Sequence, residues 1–224
     1  MSASIARDVR PFDAWAASYD QHWSRKLLFG RVHRQVVREV LRSGVRPTRV
    51  LDVGSGTGEL LLRLGHTFPR AELFGVDPAQ GMIATAQRKA EGVDQVRFIE
   101  AGAGSLPFEA GEFELVVSTS SFHHWDDQEE GLRQVARVLA PGGIFILADG
   151  YKSRRGRMRL GILPRLLKSH EDDPDRFHRP ATLRRMLETA GLPVMRQRKP
   201  MSLMGTVMLT RAKAPTAGGS RPAA

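Results

Sequence analysis

The chain has 224 residues, of which 41% are hydrophobic and 26% charged, a composition typical of one globular domain. It contains no cysteine, which excludes disulfides and thiolate chemistry and indicates a reducing compartment, here expected to be the cytoplasm. No apolar run approaches the roughly 18 residues of a membrane span, and residues 1–11 lack the apolar core of a secretory signal.

The formal net charge of +10 is concentrated in the last third of the sequence. Residues 1–149 contain 17 Lys and Arg against 19 Asp and Glu, whereas residues 150–224 contain 17 against 5. Such an excess forms either an ordinary solvated surface or a patch for anionic partners, such as lipid headgroups, nucleic acid or an acidic substrate. Charge alone does not distinguish these interpretations.

Apolar periodicity and turn residues predict strands that alternate with helices. The predicted strands are 49–53, 72–76, 95–99, 113–118, 144–148, 194–199 and 206–211. The predicted helices are 32–41, a segment through 60–64, 81–90, 126–139 and 182–190, and a turn is expected at 141–143. The alternation is typical of βαβ units with right-handed crossovers, and it predicts an α/β fold with a parallel sheet.

A glycine-rich turn follows the first predicted strand. Gly54, Gly56 and Gly58 occupy alternate positions, and glycines there let a ligand approach the backbone closely. The helix that follows offers N–H groups to a carboxylate or phosphate. The dinucleotide fingerprint needs a further glycine where this chain has Glu59, so the turn does not match that fingerprint.

A second acidic position closes the next predicted strand. Asp77 lies 23 residues beyond Gly54, near the spacing at which Rossmann-like folds present a carboxylate to ribose hydroxyls. The alternative is a cap for the helix that begins after Pro78, a common role for Asp. In combination with the glycine turn, the ribose interpretation is favoured.

These motifs resemble those of class I S-adenosylmethionine-dependent methyltransferases of the ubiquinone- and menaquinone-biosynthesis type. Six segments carry the resemblance in order: 12–20, 50–58, 75–77, 106–108 with 113–118, 121–125 and 139–143. The resemblance implies a Rossmann-like sheet of seven mostly parallel strands with helices on both faces and an antiparallel last strand. We expect one domain over 1–213, with a helical lid over 12–45, a cofactor-binding core over 46–150 and a small basic cap over 151–181. A disordered tail is expected over 214–224.

The resemblance implies S-adenosyl-L-methionine as the cofactor. Matching the family motifs assigns its binding to Tyr19, Asp52, Gly54, Ser55, Gly56, Gly58, Asp77, Pro78, Met82, Gly102, Ala103 and Ser118. The chain departs from the family at Gly102, where an Asp usually binds the adenine amino group. Either the backbone near Ala103 holds the adenine, or Glu100 substitutes from a shifted loop.

Methyl transfer from a sulfonium is an in-line displacement, which requires alignment, exclusion of water and sometimes removal of a proton. His123 and His124 follow the fourth strand and are candidate general bases, with a structural role in the loop as the alternative for each. Asp149, which closes the fifth strand, is a second candidate, whereas His178 is taken as an ordinary loop residue. No metal site is predicted, because the acids and histidines of 123–127 lack an ordered ligand spacing.

The basic segment 154–159 precedes a leucine-rich stretch and is interpreted as a substrate cap, with contact to a membrane surface as the alternative. The leading function is methylation of a small organic acceptor, which is quinone- or phenol-like, a lipid or a natural product. One alternative is a nucleic-acid methyltransferase, which is disfavoured because residues 118–122 lack the Asn/Asp-Pro-Pro-aromatic motif of base methylases. The other is a regulatory protein that binds the cofactor without catalysis.

Overall fold

The computed structural model describes residues 23–152, 176–199 and 207–216. The helices within these ranges are α1 (Trp23–Ser43), α2 (Glu59–Thr67), α3 (Gln80–Lys89), α4 (Gln128–Val138) and α5 (Pro180–Thr189), and a 3₁₀ turn spans Phe122–His124. The strands are β1 (Arg49–Val53), β2 (Glu72–Asp77), β3 (Val96–Glu100), β4 (Phe113–Thr119), β5 (Leu139–Gly150), β6 (Val194–Arg198) and β7 (Val207–Lys213).

The strands form one sheet in the order β3-β2-β1-β4-β5-β7-β6. β1 pairs in parallel with β2 and β4, β2 with β3, and β4 with β5, whereas β7 runs antiparallel to both β5 and β6. The predicted seven-stranded, mostly parallel sheet with an antiparallel last strand is confirmed. The strand order reverses between β1 and β4, which is where open α/β sheets form their ligand crevice.

Both faces of the sheet are covered, which explains why the central strands are nearly continuous apolar runs. On one face, Val36 of α1 and Leu61 of α2 share a cluster with Leu115 of β4. On the other face, Leu132 of α4 and Leu187 of α5 share a second cluster that also includes several buried aromatic rings. The helices cover the two faces of the sheet, whereas the loops that follow β1 and β4 lie at the carboxyl ends of these strands.

The turn predicted at 141–143 is instead a bulge inside β5. Leu139 lies opposite Phe113 and Ile144 lies opposite Leu115, so β5 contains more residues than the facing part of β4. Gly142 adopts φ 76°, a conformation that favours glycine, and it allows the extra residues to leave the pleat without ending the strand.

The expectation of disorder over 214–224 is wrong at its start. Ala214 is buried, and its N–H donates to Gly143 O at 2.8 Å, while Gly142 N–H donates to Pro215 O at 3.1 Å. These bonds continue the pairing of β7 along the bulge of β5, which supplies the backbone partners that a sequence pattern does not show.

Several expectations fall outside the described residues. They are the first part of the lid with Tyr19, the cap over 153–175, and positions 217–224 of the tail. None of the helices that the structure describes has the combined length and apolar character needed to cross a bilayer.

Candidate active site

The glycine turn after β1 is held tightly against its neighbours. Gly54, Gly56 and Gly58 have φ values of 75°, 52° and 77°, in the left-handed region that glycine tolerates. The N–H groups of Gly54 and Ser55 both donate to Val76 O, at 2.8 and 2.9 Å. A Cβ added to Gly54 would lie 1.7 Å from Ser121 Oγ, so the loop after β4 requires glycine at this position.

Asp77 contacts the glycine turn directly. Its Oδ2 accepts a hydrogen bond from Gly56 N–H at 2.9 Å, and its Oδ1 accepts one from Ala79 N–H at 3.0 Å. Ala79 is the residue that precedes α3, so the carboxylate also orders the start of that helix. The cap residue of α3 is Ala79 and not Asp77, so Asp77 instead orders the turn before the helix and lies beside the glycine turn. Its contact with the ribose remains a prediction. Met82 is buried in α3.

Asp52 lies in the centre of the sheet with only 2% of its surface exposed. In β1 it is opposite Gly75 of β2 and Val117 of β4, and its Oδ1 has no hydrogen-bond partner among the described residues. Burial, and secondly the charge of Asp77, raises the pKa of Asp52 from 3.8 to about 8. This carboxyl group is suited to a cationic ligand group, which would satisfy its oxygen and favour its charged form.

Other buried hydroxyl groups at the same edge of the sheet also lack partners. Ser55 Oγ, Ser118 Oγ and Thr119 Oγ1 have no hydrogen-bond partner within the described part of the chain. Buried polar atoms without a partner are rare in folded proteins. Their position at the carboxyl ends of β1 and β4 fits a ligand rich in donors and acceptors. Thr119 was not predicted, because a threonine that closes a strand has no distinctive sequence pattern.

The segment after β3 is where the adenine is predicted to bind. Glu100 closes β3 directly opposite Asp77, and Ala101 N–H donates to Asp77 O at 3.1 Å. A Cβ added to Gly102 would meet nothing within 4 Å among the described residues, so this position borders open space. Ala103 packs against the core cluster. Both alternatives for holding the adenine, Ala103 backbone and Glu100, remain predictions.

His123 and Asp149 form a buried pair. Asp149 Oδ2 accepts from the backbone N–H of His123 at 2.9 Å, and Asp149 Oδ1 lies 2.8 Å from His123 Nδ1. Asp149 is 4% exposed and His123 is 9% exposed. The sequence proposed these two residues separately, and the structure brings them together across β4 and β5. His124 is half-buried, and its N–H donates to Ser121 O.

Residues 176–178 hold the loop that carries His123, which the sequence did not predict. Phe177 stacks on the His123 ring with centroids 4.5 Å apart. Arg176 donates to three carbonyl oxygens of the loop, those of His123, Trp125 and Asp126. Arg176 therefore satisfies carbonyl groups at the end of the 3₁₀ turn that would otherwise bond N–H groups of a continuing helix.

His178 belongs to the same arrangement rather than to an ordinary loop. Its Nε2 lies 2.6 Å from Gln128 Oε1, and Gln128 Nε2 donates to the carbonyl groups of Phe122 and Arg176. Burial, and secondly the charge of Lys152, lowers the pKa of His178, so its ring is neutral at pH 7. Lys152 N–H also donates to His178 O at 3.0 Å, which joins the chain leaving β5 to the chain that returns.

The comparisons with known proteins identify the family. Residues 50–143 match the family described as a methyltransferase domain. Demethylmenaquinone methyltransferase of Thermus thermophilus is 41% identical over 142 residues, which cover 62% of this chain and 63% of that protein. Malonyl-[acyl-carrier protein] O-methyltransferase of Geobacter sulfurreducens is 34% identical over 190 residues, which cover 83% of this chain and 70% of that protein. The chain belongs to the class I S-adenosylmethionine-dependent methyltransferases.

The fold of this methyltransferase is shared with a solved relative. An S-adenosylmethionine-dependent methyltransferase from Aquifex aeolicus superposes with a TM-score of 0.67, covering 90% of this chain and 97% of that chain at 17% identity. The predicted family, fold and cofactor are therefore confirmed. The match to the Thermus protein spans less than two thirds of its length, so the acceptor of that relative is not transferred to this chain.

Proposed function

We propose that this methyltransferase methylates a small organic acceptor of the quinone or phenol type, with His123 as the general base. The observation that carries the base assignment is the two-point contact between Asp149 and His123. The acceptor class is supported by the Thermus relative, whose name states that it methylates demethylmenaquinone. Methylation of a carbon or an oxygen is compatible with this assignment.

The residues at the glycine turn fit the cofactor. When bound, S-adenosylmethionine supplies an electrophilic methyl group on its sulfonium. Asp52 is placed to receive the cationic ammonium group, because its buried Oδ1 has no partner among the described residues. Asp77, beside Gly56, is the acid for the ribose hydroxyls. The buried hydroxyls of Ser55 and Ser118 offer further hydrogen bonds.

The role of His123 follows from its contacts. A hydrogen bond from Nδ1 to the Asp149 carboxylate keeps the proton on Nδ1, so Nε2 is the basic nitrogen. Nε2 would accept the hydroxyl proton of the acceptor as the acceptor bonds the methyl carbon, while the sulfur–methyl bond breaks and S-adenosylhomocysteine is the leaving group. Asp149 would stabilise the resulting imidazolium without accepting that proton. Stacking on Phe177 limits rotation of the ring and keeps Nε2 in one direction.

Two measurements test the proposed function. Calorimetric titration should show micromolar binding of S-adenosylmethionine and S-adenosylhomocysteine, with no binding of NAD. Mass spectrometry should then detect methylated products from a panel of reduced quinones and phenols. Absence of adenosyl binding would refute the assignment of the glycine turn, whereas binding without turnover of any acceptor would favour the regulatory alternative.

The base assignment has its own test. His123→Gln should lower kcat at least about 100-fold, because general base catalysis contributes this much or more. Affinity for S-adenosylhomocysteine should change little. His66→Gln is the matched control, since His66 lies on the exposed side of α2, away from β4. If His123→Gln retained full kcat, another group would have to remove the proton.

A further inference from the structure

Helix α1 carries a row of exposed arginines. Arg31, Arg34, Arg38 and Arg42 follow one another at three- and four-residue spacing, which places them on one side of the helix. On the opposite side, Val32, Val36 and Val40 are buried in the core. Glu39 is the single acidic residue between positions 23 and 48 of the sequence. The row therefore has no acidic neighbours on its own helix that face the solvent.

The carboxylate of Glu39 forms ion pairs with three more arginines. Its side chain is fully buried and lies 3.3 Å from Arg198 Nε, 3.4 Å from Arg211 Nη1 and 4.0 Å from Arg196 Nη1. One carboxylate thus faces three guanidinium groups that come from β6 and β7. Burial lowers the pKa of Arg198, and the charges of Arg42 and Arg196 act in the same direction. Positive charge at this edge of the sheet remains in excess.

The two sets of arginines form one continuous surface. Arg198 Nη2 donates to Gln35 Oε1 of α1 at 3.2 Å, and the charge of Arg42 also acts on Arg198. β6 is the edge strand of the sheet, and neither β6 nor β7 contains an acidic residue. We call this area the basic surface, and its arginines are Arg31, Arg34, Arg38, Arg42, Arg196, Arg198 and Arg211.

We propose that the basic surface docks the methyltransferase on a membrane of anionic phospholipid. Arginine pairs well with phosphate, and each basic residue near an anionic bilayer adds to the attraction. Leu41 is 56% exposed and lies beside Arg38 and Arg42, which is the arrangement of an apolar side chain that enters the headgroup region. The docking places the enzyme where an apolar acceptor is stored, and in this respect it rests on the proposed function.

The same charges would also attract nucleic acid, but the surface lacks a feature that single-stranded nucleic acid binding uses. Stacking of bases requires accessible aromatic rings. From residue 30 onwards, no Phe, Trp or Tyr side chain that the structure describes is exposed. An exposed leucine beside arginines fits lipid better than bases, so the membrane is the partner that the described residues favour.

Co-sedimentation with vesicles tests the docking. The protein should bind vesicles of phosphatidylcholine with about 30% phosphatidylglycerol and leave vesicles of phosphatidylcholine alone in solution. Binding should weaken strongly between about 0.1 M and about 1 M salt, because the attraction is electrostatic. Equal binding to both kinds of vesicle, or to neither, would overturn the proposal.

Two variants of equal net charge test whether vesicles bind at the basic surface. Replacing Arg31, Arg34, Arg38 and Arg42 with Gln should lower vesicle affinity at least about 30-fold. The control replaces four exposed arginines on other parts of the surface, Arg70, Arg88, Arg97 and Arg133, and should lower affinity less than about 3-fold. Equal losses would mean that net charge alone governs binding. Glu39 and its partners Arg196, Arg198 and Arg211 are unchanged in both variants.

Two further measurements distinguish failure of the membrane proposal from failure of the proposed function. Both variants should bind S-adenosylhomocysteine like the parent protein, and vesicle binding should persist even if no acceptor is ever methylated. The proposal and the proposed function can therefore fail independently. A single-stranded RNA of about 20 nucleotides is the remaining probe. If it bound more tightly than the anionic vesicles and its binding depended on the same four arginines, the partner would be nucleic acid and the membrane proposal would be wrong.

Discussion

At the scale of single residues, the protonation of Asp52 depends on what lies beside it. Its pKa in the folded protein, about 8, is above the ordinary value of 3.8. The folded protein therefore keeps this proton at neutral pH, whereas the unfolded chain releases it. The resulting penalty to folding is absent below the unfolded pKa, grows as the pH rises, and is complete above the folded pKa.

We therefore expect Asp52→Asn to stabilise the protein in the absence of ligand, and more so at higher pH. The difference in free energy of unfolding between variant and parent should increase from about pH 5 to about pH 8, because only the parent must take up a proton at this position when it folds. Urea denaturation across this range measures the difference. Asp94→Asn, at an exposed position, serves as the control. Parallel pH curves for Asp52→Asn and the parent would contradict the raised pKa.

Asp77 accepts hydrogen bonds from the glycine turn and from Ala79, and we propose that it also binds the ribose; a substitution separates the two roles. Asp77→Ala should weaken S-adenosylhomocysteine binding about 100-fold or more, because charge-assisted hydrogen bonds to ribose hydroxyls are each worth about 1.5–3 kcal/mol. It should also destabilise the turn, since Gly56 N–H and Ala79 N–H lose their acceptor. Calorimetry at a temperature where the variant is fully folded isolates the binding loss. Unchanged affinity would remove Asp77 from the cofactor site.

At the scale of elements, the loops after β1 and β4 are built against each other. Ser121 Oγ lies where a side chain on Gly54 would be, and it accepts a hydrogen bond from Trp125 Nε1 at 3.0 Å. The tryptophan ring in turn packs against Gly131 of α4, where an added Cβ would lie 2.3 Å from the ring. The glycine turn is therefore positioned by the loop that also carries His123.

This contact predicts a specific rescue. Gly54→Ala should abolish S-adenosylhomocysteine binding, because the new methyl group collides with Ser121 and the positive φ is strained. Adding Ser121→Gly removes the colliding atoms and should restore part of the affinity. Ser120→Gly in the same background is the control, since Ser120 does not face Gly54. Equal recovery with both second substitutions would mean that the collision is not the cause.

At the scale of the whole molecule, the sequence predicted the features that depend on short segments and missed the contacts between residues far apart in the chain. Strand positions and the glycine turn were predicted, because apolar period and turn chemistry are properties of short segments. The pairing of His123 with Asp149 and the role of Arg176 depend on contacts between residues far apart in the chain. The charge excess was assigned to the last third of the sequence, yet the structure combines it with arginines of α1.

Glu39 and its three arginines connect α1 to β6 and β7, and loss of this contact should affect global stability. Glu39→Gln should lower the free energy of unfolding by about 3–5 kcal/mol, the usual cost of removing one partner from a buried ion pair. Urea denaturation measures the loss. Glu59→Gln is the control, because Glu59 pairs with Arg63 and Lys89 while about half exposed, and it should cost less than about 1 kcal/mol. A small effect at Glu39 would show that its arginines are neutralised by other groups.

The hydrogen bond between Lys152 and His178 also has a consequence for the entropy of the chain. It fastens the two ends of the segment 153–175 to each other, and the contact of Phe177 with Gly150 fastens them to the sheet. The entropy cost of closing a chain between two fixed points grows slowly with the number of residues between them, by about 0.6 kcal/mol for each doubling. A change in the number of residues between Lys152 and His178 should therefore alter the free energy of unfolding little, because the contacts that close this segment belong to residues outside it.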